Sequence, residues 1–166
     1  MKYRYAISMF SAAFILQTTL FNIAGVFDVT PNLLLCLVVI FSFLYDDNNS
    51  GLVLGVVFGL LYDICFSLYA GIAALAFFVI SLLVMLVNVV MNREAVLSVI
   101  IISTGATVIY TFMYWGIMAM LGSAYSFMYM IKYLPLYILY NTAIMTMLYF
   151  LLIKSVIKHH YDRYYR

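Results

Sequence analysis

The stretch GLVLGVVFGLLYDICFSLYAG, residues 51–71, decides how the chain folds. Three glycines recur at intervals of four, Gly51, Gly55 and Gly59, and the next position in that series is the acidic Asp63. Residues four apart on an α-helix lie one above another on the same face. The pattern therefore writes a narrow, smooth stripe tipped by a carboxylate. The apolar run continues past it, and Asp63 is the only charge between positions 51 and 91. One helix of that length reaches about 60 Å at 1.5 Å per residue, twice the roughly 30 Å of hydrocarbon in a bilayer. The chain must reverse, and Ser67 to Gly71 is the place for the turn. Two spans follow, at 51–66 and 70–91.

Working outward, composition places the rest in the same class. Of 166 residues, 68% are hydrophobic and 8% are charged, which leaves little for a water-soluble domain. Apolar spans without alternation of polar and apolar residues argue against a β-barrel, so the expected fold is an all-α integral membrane protein. Further spans lie at 5–27, 31–45, 95–121 and 133–153, for six transmembrane helices in a single polytopic domain covering 1–166. Pro31 suits the first turn of the second span. Asp46-Asp47-Asn48-Asn49-Ser50 forms the clearest loop, and residues 122–131 form an outer loop. Lys2 and Arg4 precede an apolar run too long for the core of a signal peptide, so that run reads as a retained span.

Charge placement tests the count. With six spans, Lys2, Arg4, Arg93, Lys154, Lys158, Arg163 and Arg166 share one side and only Lys132, of eight basic residues, faces the other. The positive-inside rule then places both termini in the cytoplasm. The tail, 154–166, interleaves basic residues with Tyr161, Tyr164 and Tyr165, a pattern that anchors at an anionic lipid surface. A net charge of +2 gives no footing for nucleic acid.

Each motif carries more than one reading. The glycine stripe permits close backbone packing, either within the monomer or against another protein's helix. Three roles are open to Asp63: accepting from the amides that begin the next helix, contacting a partner, or relaying an ion or proton. A charged Asp at a helix centre costs about 2.5–3.5 kcal/mol on insertion scales, so the residue has to be used. Gln17, Thr18, Thr19, Asn22, Asn88, Ser103, Thr104, Thr107, Asn141 and Thr142 are read as hydrogen bonds between helices, and together they can line a polar cavity. Cys36 and Cys65 are read as small core residues. The chain contains no His-Glu-x-x-His, phosphate-binding glycine loop, Gly-x-Ser-x-Gly or Cys-x-x-Cys, so neither enzyme nor cofactor is expected.

Motif order adds a resemblance. Gln17-Thr18-Thr19-Leu20, then Pro31-Asn32-Leu33-Leu34-Leu35, then Gly55, Gly59-Leu60-Leu61 and Asp63, then Gly71, with Asn141 in the last span, together resemble the MreD family of bacterial rod-shape-determining membrane proteins. The resemblance covers the whole chain. It implies a multi-pass, non-enzymatic subunit of the cell-wall elongation complex in the bacterial cytoplasmic membrane. The implied partners are the bitopic scaffold MreC and, through it, MreB filaments, a polytopic glycosyltransferase and a penicillin-binding transpeptidase. On this resemblance Gly51, Gly55, Gly59, Asp63, Gly71, Asn141, Gln17 and Pro31 pack the bundle or position a partner helix. The size and six-span layout are also similar to the S components of energy-coupling-factor vitamin transporters, the second reading. Those proteins commonly carry Ala-x-x-x-Ala on their first helix, whereas here Ala12 and Ala13 are followed four places on by Leu16 and Gln17.

Overall fold

Six α-helices follow one another along the chain: α1 (Tyr3–Ile23), α2 (Leu33–Leu44), α3 (Ser50–Phe66), α4 (Ile72–Val87), α5 (Val96–Met120) and α6 (Phe127–Tyr164). The computed structural model describes the backbone of residues 3–23, 29–45, 49–122 and 126–164, and the side chains of these except at 20–23 and 154–164. No strand forms among the described residues. Asp46 and Asp47, and the side chains of Asn22 and of the histidines of the tail, lie outside what is described.

The short α2 is the axis of the bundle. Every residue from Leu34 to Leu44 is buried, and the helix touches α1, α3, α4, α5 and α6. A helix apolar on all sides is one that is covered on all sides. Its one hydroxyl, Ser42, shares a 2.7 Å hydrogen bond with Ser81 of α4. Phe10 of α1 completes this core against Phe41 and Phe58, with ring centroids 5.6 Å away in each case.

Lipid tails are as apolar as leucine, so helices among them associate through close packing and hydrogen bonds rather than through expulsion of water. The glycine stripe supplies the packing. A methyl group on Gly51 would overlap the Ser42 hydroxyl and meet its amide nitrogen at 2.7 Å. One on Gly55 would meet Val38 at 2.7 Å, and one on Gly59 the Phe77 ring at 2.8 Å and the Ala74 backbone at 2.9 Å. The stripe thus faces α2 at one end and α4 at the other, covered inside the monomer. Gly105 and Gly116 on α5 are different: nothing lies within 4 Å of where their Cβ atoms would sit.

Several expected boundaries move. The helix expected from residue 31 starts at Leu33, because the Asn32 side chain accepts from the Leu35 amide at 2.9 Å and caps it there. Pro31 therefore precedes the cap instead of filling the first turn. At 12 residues α2 reaches only about 18 Å. In its non-helical approach Val29 and Pro31 are buried while Thr30 is exposed, and irregular backbone is tolerated where protein covers it. The helix expected over 133–153 begins at Phe127 and continues to Tyr164, so the second half of the expected outer loop and much of the tail backbone are helical. Lys132, between the expected loop and the expected span, lies inside the helix; its ammonium sits 5.4 Å from the Tyr133 ring centroid, a long side chain reaching outward from a continuous helix. Cys36 is buried, but Cys65 is exposed and is no core residue. Two helical stretches, Val96–Met120 and Phe127–Ile153, are long and apolar enough to cross a membrane.

These contacts predict opposite signs for two glycine substitutions. Gly51→Ala forces Ser42 and the α2 backbone apart and should cost about 1–3 kcal/mol. Gly105→Ala meets no atom and should be neutral, or stabilising by up to about 1 kcal/mol through helix propensity. Thermal unfolding of the detergent-solubilised chain checks the order, and equal midpoints would contradict the packing described.

Candidate functional site

Two helix beginnings organise the polar interior. The first is that of α4. Gly71 occupies the position before the helix with φ +101°, a left-handed conformation that glycine adopts without strain, and it has no side chain with which to cap the helix. Asp63, on the last turn of α3 and 1% exposed, supplies the acceptor. Its Oδ2 receives the amides of Gly71 at 3.0 Å, Ala73 at 2.7 Å and Ala74 at 3.4 Å. Its Oδ1 is buried with no hydrogen-bond partner among the described residues. Of the three roles open to Asp63 from sequence, this geometry matches the cap. The positive end of the α4 dipole meets a carboxyl oxygen, and the reversal after α3 is tied across ten residues.

The second is the beginning of α2. Besides the Asn32 cap, the Asn32 amide donates to Asn141 Oδ1 of α6 at 2.9 Å, and the Leu34 amide donates to Gln17 Oε1 of α1 at 3.2 Å. Pro31 is buried beside them and has no amide hydrogen to satisfy. Asn141 also donates through Nδ2 to Thr107 Oγ1 of α5 at 3.3 Å, so one side chain joins α6 to α2 and α5. A step away, Ser103 donates to Thr142 at 2.9 Å. Not every polar residue expected to bridge helices does so. Thr18 and Thr19 bond back to the carbonyls of Phe14 and Ile15 in their own helix, and Asn88 receives Arg93 Nε at 2.9 Å just beyond the end of α4.

The eight residues singled out from sequence therefore separate into three groups. Gly51, Gly55 and Gly59 pack α3; Asp63 and Gly71 form the α4 cap; Gln17, Pro31 and Asn141 gather at the head of α2. Beside the head of α2 lies a cavity of about 180 Å³, lined by Gln17, Thr30, Asn32 and Asn141 together with Tyr62, Tyr110, Thr111, Tyr114, Trp115, Met130 and Tyr137. The aromatic wall was not read from sequence. Its only trace there is Tyr110 and Tyr114 four apart on α5, and Tyr137 and Asn141 four apart on α6. No charged side chain lines the cavity. Among the described residues no three His, Cys, Asp or Glu side chains gather where a metal ion could be held. What the arrangement can do is hold helix ends in register and present hydroxyl, amide and ring surface.

The family model of the rod shape-determining protein MreD matches residues 2–158 of this chain. The chain belongs to the MreD family. No curated protein and no solved structure matches it. Both caps, the stripe and the cavity fall within the matched residues. MreD proteins belong to the membrane-borne rod-shape system and determine shape structurally, not as a known class of enzymes. The two long apolar helices are consistent with insertion in a membrane. For this MreD-family chain the α4 cap gives a graded expectation. Asp63→Asn keeps one accepting oxygen and should lose about 1 kcal/mol, whereas Asp63→Ala orphans buried amides and should lose about 2–3 kcal/mol. Thermal unfolding midpoints in the order wild type, Asn, Ala support the cap; indistinguishable midpoints argue against it.

Proposed function

We propose that this chain is a non-enzymatic subunit of the bacterial cell-wall elongation complex, one that crosses the cytoplasmic membrane six times with both termini inside. In that role it binds the bitopic scaffold MreC and, through it, helps to organise MreB filaments, a polytopic glycosyltransferase and a penicillin-binding transpeptidase. The observation that carries the reading is membership of a rod shape-determining family over residues 2–158. The six-helix count and the seven-to-one partition of basic residues support the topology.

The α3 stripe is already occupied by α2 and α4, so a partner's single helix needs another face. The α4–α5 side offers one: a cleft of about 200 Å³ walled by Ile80, Leu83, Val84, Ile101, Gly105 and Ile109. Gly105 is smooth there and unused by the monomer. A small residue at an apolar groove is the feature that lets a second helix approach closely in lipid.

Gly105→Leu should fill the cleft and lower recovery of MreC in affinity purification from native membranes by at least tenfold, with folding and accumulation unchanged. Undiminished recovery would remove the cleft from the interface. If MreC and wall synthases are absent even from wild-type purifications, the proposed role fails. Reporter fusions at the two ends should both give cytoplasmic signals, and opposite signals would overturn the six-crossing topology.

A second reading is favoured by one observation, the polar cavity, which suits a substrate-binding S component of a vitamin transporter with a similar bundle. Recovery of an ATPase module in the same purification would select it.

A further inference from the structure

The cavity at the head of α2, walled by α1, α3, α5 and α6, has a chemistry that the packing of the bundle does not require. Protein interiors leave few voids larger than a water molecule. Along α3 the chain packs so tightly that three glycines are needed to admit α2 and α4. Here, by contrast, about 180 Å³ stays open, a volume slightly above that of an engineered cavity that holds benzene.

Its walls are fixed from outside. Tyr110 is stacked on Phe77, with centroids 5.6 Å apart, and on Tyr114 at 6.0 Å, while Trp115 leans on Phe127 at 4.9 Å. Asn32, Asn141 and Gln17 are held by the backbone bonds that cap α2. A ligand would meet a preformed site and spend little ordering it.

Four tyrosines and a tryptophan offer ring faces. The side-chain oxygens of Asn32, Asn141 and Gln17 and the Thr111 proton are already committed within the protein, so the polar edges a ligand would meet are the amide nitrogens of Asn32 and Gln17, the Thr30 hydroxyl and the tyrosine oxygens. The lining holds no Lys or Arg to bind a carboxylate or phosphate. It holds no Asp or Glu to bind an ammonium either, since Asp63 is turned to the α4 amides. Flat faces with neutral polar edges select a flat or chair-shaped ring with polar substituents.

We propose that this cavity is a binding site for a small uncharged ring compound bearing hydrogen-bonding groups, of about the size of one substituted six-membered ring. The inference rests on the cavity alone and goes beyond the partner role above.

The chain carries a single tryptophan, and that residue, Trp115, lines the cavity. Its fluorescence in the full-length protein, in lipid nanodiscs, reports occupancy directly. Benzamide, benzoate and benzamidine share one shape and differ in charge. Benzamide should change Trp115 emission saturably, with a midpoint on the order of 1 mM for so few atoms, and the two charged analogues should bind at least tenfold more weakly. Thr111→Leu, which fills the cavity, should weaken the benzamide response at least tenfold while elution volume and helical circular dichroism stay unchanged. Thr30→Phe, at an exposed position on the cavity rim, should do the same, and it serves in place of Thr111→Leu if that variant misfolds. A non-saturating response, equal responses to all three compounds, tighter binding of benzamidine, or full benzamide binding by the filled variants would each overturn the proposal. Failure here leaves MreC recovery untouched, so the two readings are tested separately.

Discussion

Helix beginnings govern this structure. The first amides of any helix have no partner within it, and inside an apolar bundle water does not supply one. In this protein α2 and α4 both begin among other helices, and both borrow acceptors from side chains far away in sequence: Asp63 for α4, Gln17 and Asn141 for α2. Each bond satisfies a backbone group and also fixes where a neighbouring helix stands. The caps therefore set the relative height of α1, α2, α3, α4 and α6, and the glycine stripe can engage α2 and α4 only in that register.

From this follows a division of labour among surfaces. The α3 stripe is consumed inside the monomer, where Val38, Ser42, Ala74 and Phe77 occupy the space that side chains would otherwise take. The α4–α5 side keeps a smooth apolar cleft, with Gly105 bearing no load. The α2 cap that holds helices in register leaves an aromatic cavity beside it. A rod shape-determining protein of this kind contributes a shaped surface and a fixed interior.

Much of this was legible in the residues, for a physical reason. Periodicity records helix faces, so the i, i+4 spacing from Gly51 to Asp63 announced both the stripe and the carboxylate beyond it, and the length of the apolar run forced the reversal at Ser67 to Gly71. What periodicity does not record is which backbone amide a distant side chain serves. Gln17 and Asn141 stood out as polar residues in apolar spans, but their shared target at the head of α2 depends on how three helices meet. The aromatic cavity was hidden likewise, its rings being scattered over α3, α5 and α6. Two boundaries were misplaced by local chemistry. Asn32 outcompetes Pro31 as the start of α2 because its oxygen caps an amide. Lys132 reads as the start of a span, although a lysine can reach outward from a continuous helix.

Amide hydrogen exchange at the start of α4 tests the central claim most directly. In the wild-type protein in nanodiscs, the Ala73 and Ala74 amides should exchange slowly, as bonded interior amides do, although first-turn amides of an uncapped helix exchange fast. In Asp63→Ala the same two positions should lose that protection while the middle of α4 keeps it. Rapid exchange at Ala73 in the wild type, or protection unchanged by the substitution, would contradict the account.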